Sequence, residues 1–286
     1  MSKLAILVGT ACNFRCKHCS VAHLPPRALS RSEEASLRAL LSKKKFESIL
    51  FVGGEPTLYI DKINRVLAGL PKSSETKNYI TTNGYFAKSR DAALKTLTSF
   101  HGLDAVQLSF DKYHQAFTDT KKVEILRQAC LELGLKFSVL MSIQSPLDLT
   151  ILKKLKNPDK LDICVQGVQL LGAASDNCLE YEYPSFDKRV LTRSCPNVDA
   201  IVYICGEGFS TCCTQLVFKK DNRSFVHKTI KQHMASKFYK MLHTNTFRDL
   251  LRKSGISQSG LPPRCSHPCN LCSYILDFQT RNKMFA

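Results

Sequence analysis

From Leu4 to about Ala174, short runs of β-branched and apolar residues alternate with longer stretches whose apolar positions recur every three or four residues. Continuous apolar runs fit strands covered on both faces, and the three-to-four spacing fits the helices that cover them. The expected strands are KLAILV, SILFVGG, KNYITT, LDAVQLSF, KFSVLMSI and ICVQGVQLL, and the expected helices lie at 32–44, 60–70, 87–100, 120–133 and 147–155. Repeated β-α units of this kind predict a parallel sheet. Six units are too few for a closed eight-stranded barrel, so the fold class is α/β with a partial (β/α)6 TIM-like barrel. Functional loops are expected at the C-terminal ends of its strands.

After Gly172 the pattern changes. A polar connector leads to an expected β-hairpin over 198–218 that turns near GEG, then to a helical run over 227–253 and a cysteine-rich tail, PPRCSHPCNLC. With 286 residues there is room for both parts. The expected organisation is a core domain over 1–180 and a small C-terminal domain over 181–286. The N-terminal apolar run covers only Leu4 to Val8, far short of a signal peptide or a membrane span, which predicts a cytoplasmic protein with no membrane partner. The first strand starts at once, so no leader-binding domain is expected ahead of the core.

Charge adds little to this picture. The 41 basic and 24 acidic residues give a formal net charge of +17, which favours an acidic or phosphorylated partner. The lysines are scattered, as in LSKKKFES and LKKLKNPDK, in the manner of a solvated basic face, and no nucleic-acid-binding motif accompanies them. Cysteine changes the picture more. Thirteen of them in a reducing compartment point to metal or redox chemistry, and they gather in two places.

The first is CNFRCKHC, which sets Cys12, Cys16 and Cys19 in the spacing C-x3-C-x2-C directly after the first strand. Three thiolates leave one corner of a four-iron cube unligated. A structural zinc site uses four ligands, and His18 or His23 is available to complete one. The second strand is followed by Gly53, Gly54, Glu55 and Pro56, a turn with no side chain to block a ligand from its backbone. The fourth strand ends with Ser109 and Asp111, short polar groups suited to a ribose.

In this order the motifs resemble the radical S-adenosylmethionine (SAM) superfamily over about residues 4–174. The resemblance implies that Cys12, Cys16 and Cys19 hold a [4Fe-4S] cluster whose fourth iron is chelated by SAM. It also implies that the Gly53–Pro56 turn receives the methionyl ammonium, with Ser109 and Asp111 near the ribose. One electron, from a flavodoxin- or ferredoxin-type donor, then cleaves SAM to a 5'-deoxyadenosyl radical.

In the second gathering, Cys195 precedes the hairpin, FSTCCTQ lies on its return strand, and Cys269 and Cys272 form a C-x2-C pair. One cysteine from each of the first two places and both of the last make four ligands, enough to close a second cluster, although zinc ribbons use related spacings. This tail resembles the twitch or shortened SPASM extension of radical SAM enzymes. The whole chain resembles the radical SAM peptide epimerases, which convert L-residues of a ribosomally made peptide to D-residues. The stretches that carry this resemblance are SFDKYHQAF, QLLGAAS, CPNVDAIVYICGEGFSTCC and PCNLC.

By that resemblance Cys195, Cys212, Cys269 and Cys272 bind an auxiliary [4Fe-4S] cluster, Cys213 returns a hydrogen atom to the substrate radical, and Asp199 is important for activity. Alternation along a strand would turn Cys212 to the cluster and Cys213 to the substrate. Cys205 and Cys265 are further thiols able to replace an assigned ligand. Alternative outcomes are a dehydrogenase, a thioether or carbon-carbon cross-linking enzyme, and, outside enzymes, a zinc-binding interaction protein. Cys130, Cys164 and Cys178 read as small apolar residues, and His227, His233 and His243 as solvent-facing ones.

Overall fold

The computed structural model describes residues 2–218 and 224–281. Strand β1 (Lys3–Leu7) buries Leu4, Ile6 and Leu7. It begins a parallel series with β2 (Ser48–Val52), β3 (Lys77–Thr82), β4 (Ala105–Ser109), β5 (Lys136–Ile143) and β6 (Asp162–Gly167). These pair in the order 6-5-4-3-2-1, with Leu4 beside Ile49, Phe51 beside Ile80 and Val106 beside Phe137. β1 and β6 lie five strands apart in this order, so the barrel is open. Cys164, Val165 and Gln166 of β6 are accordingly exposed.

Helices α1 (Arg31–Lys43), α2 (Ile60–Leu67), α3 (Arg90–Thr98) and α4 (Thr120–Glu132) cover the sheet with Leu37 and Leu41, Ile63 and Val66, Ala93 and Leu97, Leu126 and Ala129. Three of them start where a short polar side chain accepts an otherwise unpaired backbone N–H. Ser30 accepts from Glu33, Ser89 from Ala92 and Asp119 from Lys122, at 3.3, 3.2 and 3.2 Å. The helix expected over 147–155 is instead a 3-10 helix, Pro146–Lys154. Pro146 opens it, and Asn157, left-handed at φ 50, with Pro158 closes the segment.

Glu34 is a charge placed inside this layer. Its carboxylate is buried between α1 and α2 and accepts from Arg65 Nε at 2.6 Å, Arg65 Nη2 at 3.0 Å and Lys62 Nζ at 3.3 Å. A buried carboxylate is tolerable only when it is so paired.

The described residues divide into two units, one within Met1–Glu180 and Tyr203–Gly206, the other within Tyr181–Val202 and Glu207–Ala286. In the first, the chain returns to the free edge of β1. Cys205 N–H donates to the Leu7 carbonyl at 3.3 Å, and Tyr203 Oη–H and Gly206 N–H donate to Glu33 Oε1 at 2.7 and 2.6 Å. That use explains the extra cysteine of the hairpin: Cys205 is fully buried there.

The second unit contains β8 (Gly208–Ser210), reached from β7 (Ala200–Ile204) through a turn at Gly206, where φ is 79°. There follow short helix α6 (Gln215–Phe218), α7 (Ile230–Ala235), α8 (Lys237–Thr244), α9 (Phe247–Lys253) and α10 (Pro268–Arg281). A short helix in the first unit, α5 (Ala173–Asp176), precedes them. Phe238, Leu242, Phe247, Leu251, Leu271 and Ile275 form the apolar centre of the second unit.

Two expectations fail here. The return strand stops at Ser210 instead of reaching Phe218. Phe209 exchanges backbone hydrogen bonds with His227, at 2.7 and 2.9 Å, and the chain beyond turns into α6. His233 does not face solvent: it is fully buried, 2.9 Å from Thr211 Oγ1. No helix among the described residues is long and apolar enough to cross a membrane.

Candidate metal centres

The loop after β1 is built on close backbone approach. A Cβ at Gly54 would lie 2.1 Å from the Ala11 carbonyl oxygen, and one at Gly53 would lie 2.5 Å from that of Gly9. Only glycine lets the segments after β1 and β2 run this near each other. Gly54 N–H donates to Gly9 O and Glu55 N–H to Ala11 O, both at 2.9 Å. Tyr59 fills the space over Gly9, and its hydroxyl accepts from Ala11 N–H at 2.9 Å.

Glu55 is fully buried, so it cannot reach outward with its side chain. Oε1 accepts from Thr57 N–H, Thr57 Oγ1–H and Thr82 Oγ1–H at 3.0, 2.7 and 2.7 Å, and Oε2 accepts from Asn83 N–H at 2.8 Å. Burial raises its pKa, with these four donors opposing the rise. The carboxylate ties the ends of β2 and β3 together beneath the cysteine loop.

Cys12, Cys16 and Cys19 project from that loop and feel one another's charge. Burial is the largest cause that raises each thiol, and Cys16 is pushed up to about 12, with Cys19, Cys12 and Asp111 adding to the rise. Their sulfurs are nevertheless furnished with donors. Cys12 Sγ accepts from Phe14 N–H at 3.3 Å and from Asn83 Nδ2–H at 3.5 Å, and Cys19 Sγ receives the backbone N–H groups of Val21 and Ala22. Three clustered thiols whose sulfurs carry N–H donors fit a site that takes a metal. Asn83 was not foreseen, since TTNG reads from sequence as an ordinary turn after a strand.

Beside this loop the end of β4 delivers Asp111, which is buried and saturated. Its Oδ1 accepts from Tyr113 N–H at 2.9 Å and His114 N–H at 3.1 Å and lies 2.8 Å from His114 Nδ1, while Oδ2 accepts from Ser142 N–H at 3.2 Å. His18 Nε2 stands 3.6 Å from the same Oδ2, and its ring stacks on Tyr113 at 4.4 Å between centroids. Burial drives the His18 pKa down to about 4, with the Asp111 charge opposing and His114 assisting. Asp111 thus shapes the turn. Ser109 is half-buried on β4, in the alternating set that includes Gln107.

In the second unit one pocket is lined by Cys195, Cys212, Cys213, Cys269 and Cys272, with Pro196, Asn197, Thr214 and Pro268 among them and Phe238, Leu242 and Phe247 behind. Cys269 and Cys272, three apart on the first turn of α10, present to one side. Burial raises the thiols of Cys195, to about 11, and of Cys212, Cys269 and Cys272, while Cys213 is exposed. The charges of the other sulfurs raise Cys195, Cys269 and Cys272 further.

Cys212 and Cys213 both line this pocket, and they follow the strand rather than lie on it, so strand alternation does not separate them. Cys265 is fully buried within the apolar centre. Asp199 is exposed, and from its stretch Cys195, Pro196 and Asn197 line the pocket. Asn197, unforeseen, donates its side-chain amide to Cys213 Sγ at 2.9 Å.

Residues 6–129 match the Radical SAM superfamily. Over 118 residues the chain is 32% identical to a GTP 3',8-cyclase of Listeria monocytogenes serotype 4b, across 39% of this chain and 34% of that protein. Over 110 residues it is 36% identical to the GTP 3',8-cyclase of Chlorobaculum tepidum, across 37% of this chain and 32% of that protein. The match therefore spans about a third of the length of these curated relatives. Among solved structures, native anSMEcpe with bound AdoMet and Kp18Cys peptide is similar over 98% of this chain and 97% of that chain, with a TM-score of 0.55 and 14% identity. The same protein with bound AdoMet and Cp18Cys peptide gives a TM-score of 0.51 at 15% identity, with the same coverage. At such identity the likeness is one of fold.

Proposed function

We propose that this chain, whose residues 6–129 form a radical SAM domain, modifies a ribosomally synthesised peptide by taking an α-hydrogen from one face of a residue and returning hydrogen to the other, so that an L-residue becomes a D-residue. The observation that carries this reading is the pocket of five thiols in the second unit, one more than a [4Fe-4S] cluster needs. The fold-level likeness to a protein solved with AdoMet and peptides supports a peptide as the substrate class.

In this reading Cys12, Cys16 and Cys19 hold the cluster that binds SAM, and Gly53, Gly54, Glu55 and Pro56 form the SAM-facing turn with Ser109 and Asp111 beside it. Together the bound groups would supply one-electron reductive cleavage of SAM and a carbon radical able to abstract hydrogen. The protein's part is orientation. Glu55 and Asp111 are locked by four and five neighbouring polar groups, so the turns they stabilise are held before any ligand arrives.

Cys195, Cys212, Cys269 and Cys272 hold the auxiliary cluster, and Cys213 is the spare thiol. Returning hydrogen breaks its S–H bond and forms the substrate C–H bond, which leaves the sulfur one electron short. One electron from a ferredoxin- or flavodoxin-type protein and one proton from water restore the thiol.

Product analysis in heavy water tests the reading. Each inverted centre should gain one deuterium, supplied through the exchangeable thiol, and should appear as the D-residue after hydrolysis. A product two hydrogens lighter would instead support a dehydrogenase or cross-linking reaction, in which the auxiliary cluster accepts the electron.

A further inference from the structure

The loop that carries Cys12, Cys16 and Cys19 offers only positive charge to solvent. Arg15 and Lys17 stand between its cysteines and are exposed, and CNFRCKHC holds no acidic residue. Arg15 Nη1–H donates to the carbonyls of Cys12 and Phe14 at 3.1 and 3.3 Å, which keeps the guanidinium against the loop.

An aromatic cluster continues this surface. Phe14, whose backbone N–H donates to Cys12 Sγ, is buried beneath two rings: Phe117 stacks on it at 4.9 Å between centroids, and Tyr85 meets it edge-on at 6.0 Å. Phe117 and Tyr85 themselves remain 38% and 42% exposed. Exposed aromatic rings with a charged rim have the composition of a contact surface. Lys88 and Lys122 place their ammonium groups 4.9 and 5.7 Å from the centre of the Tyr85 ring, an attraction that holds both charges beside the rings. Against these cations stands Asp119 at the head of α4, whose Oδ1 accepts the Lys122 backbone N–H at 3.2 Å, so the patch stays positive.

We propose that this surface docks an acidic one-electron carrier protein, whose negative rim meets Arg15, Lys17, Lys88 and Lys122 and whose apolar centre meets Tyr85 and Phe117. This rests on the reading of Cys12, Cys16 and Cys19 as holders of a redox cluster. In the encounter the carrier is oxidised by one electron, and the group held at those cysteines is reduced by it. Electron-transfer encounters are small and transient, so a patch of this extent is enough, and opposite charge speeds the approach.

The test uses the anaerobically reconstituted full chain with an acidic flavodoxin as probe. Its Kd is measured by surface plasmon resonance, and cluster bleaching is followed with reduced flavodoxin and, separately, with dithionite. In Lys88→Glu/Lys122→Glu, flavodoxin should bind about tenfold more weakly, the scale of two exposed ion pairs turned into repulsions. Raised salt should narrow the deficit. Bleaching by limiting flavodoxin should slow by a similar factor, while dithionite, a small reductant that needs no dock, should bleach both proteins at one rate. Lys43→Glu/Lys45→Glu changes two exposed lysines at the end of α1, outside the patch, by the same net charge and should leave the Kd as it was.

An unchanged Kd in the Lys88/Lys122 variant, or an equal loss in the Lys43/Lys45 variant, would overturn the docking site and leave the cluster reading standing. Loss of affinity for an oligo-glutamate peptide but not for flavodoxin would also overturn it, since the surface would then take an acidic peptide. Failure of dithionite to bleach any of the proteins would sink the cluster reading itself, and the dock with it.

Discussion

Asn83 divides its side-chain amide between two side chains of the cysteine loop: it donates to Cys12 Sγ at 3.5 Å and to Asn13 Oδ1 at 2.8 Å. Its backbone N–H is anchored on the buried Glu55. The end of β3 therefore steadies a residue that follows β1. Partners one step removed from a metal commonly change its affinity ten- to a hundredfold. In Asn83→Ala, removal of iron by a chelator from the reconstituted first-unit cluster should accelerate about tenfold, with iron still bound at the outset. An unchanged rate would mean the contact is incidental.

Gly54→Ala should be among the most damaging small substitutions in the chain. The added methyl would meet Ala11 O at 2.1 Å, a clash between two backbones that no rotamer change relieves. A loss of about 3 kcal/mol or more is expected, read as a lower urea midpoint. Gly134→Ala, with nothing within 4 Å of the new methyl, is the comparison: its left-handed φ of 68° costs about 1 kcal/mol.

Glu34 gives a pH-dependent prediction. Hydrogen bonding to Arg65 holds its carboxyl down to about 2, against the opposing effect of burial and with help from Lys62. A depressed carboxyl contributes stability that is full above its unfolded value and is lost as the pH falls through about 2. Arg65 and Lys62 are partly exposed, so Glu34→Gln should cost about 2 kcal/mol near neutrality. The difference from the unaltered protein in urea unfolding should shrink steadily below pH 4.5.

His233 acts in a higher window. Burial, followed by the charges of His227 and His243, lowers its pKa from 6.5 to about 4. The neutral ring beside Thr211 stabilises the folded chain above pH 6.5, and that contribution is lost as the pH falls toward 4. Thermal unfolding of His233→Gln should show a flatter pH dependence between those limits. An identical profile would place the proton uptake elsewhere.

For Cys213→Ala, SAM cleavage should continue while D-residue formation stops, so that 5'-deoxyadenosine accumulates without inverted product. Undiminished D-residue formation would remove Cys213 from the reaction.

Much of the first unit could be read directly from the chain. KNYITT and KFSVLMSI are strands to the residue: both draw on β-branched and aromatic residues, and Ile80, Thr82, Val139, Met141 and Ile143 are buried. The second unit was less legible. Phe209 pairs with His227, eighteen residues further on, and that long-range pairing ends the strand before Cys212. His233 looked like one more polar residue on a basic helix, yet its burial is set by tertiary packing against Thr211. Cysteine spacing pointed to the two gatherings of thiols, after β1 and in the pocket of the second unit. It could not reveal Asn83 and Asn197, which act through folded-chain proximity: Asn83 reaches Cys12 across 71 positions and Asn197 reaches Cys213 across 16.

Glu33 shows what the chain's return means for anyone dividing the protein. One oxygen completes the cap of α1 with Ser30, and the other receives Tyr203 and Gly206 from 170 and 173 residues later. A polypeptide ended at Glu180 would keep all six parallel strands but lose the segment against Leu7, leaving one side of β1 as a bare row of peptide groups. Such an edge recruits other chains. The shortened protein should therefore self-associate more than the intact one, and adding a peptide of the 203–206 region in trans should compete with that association.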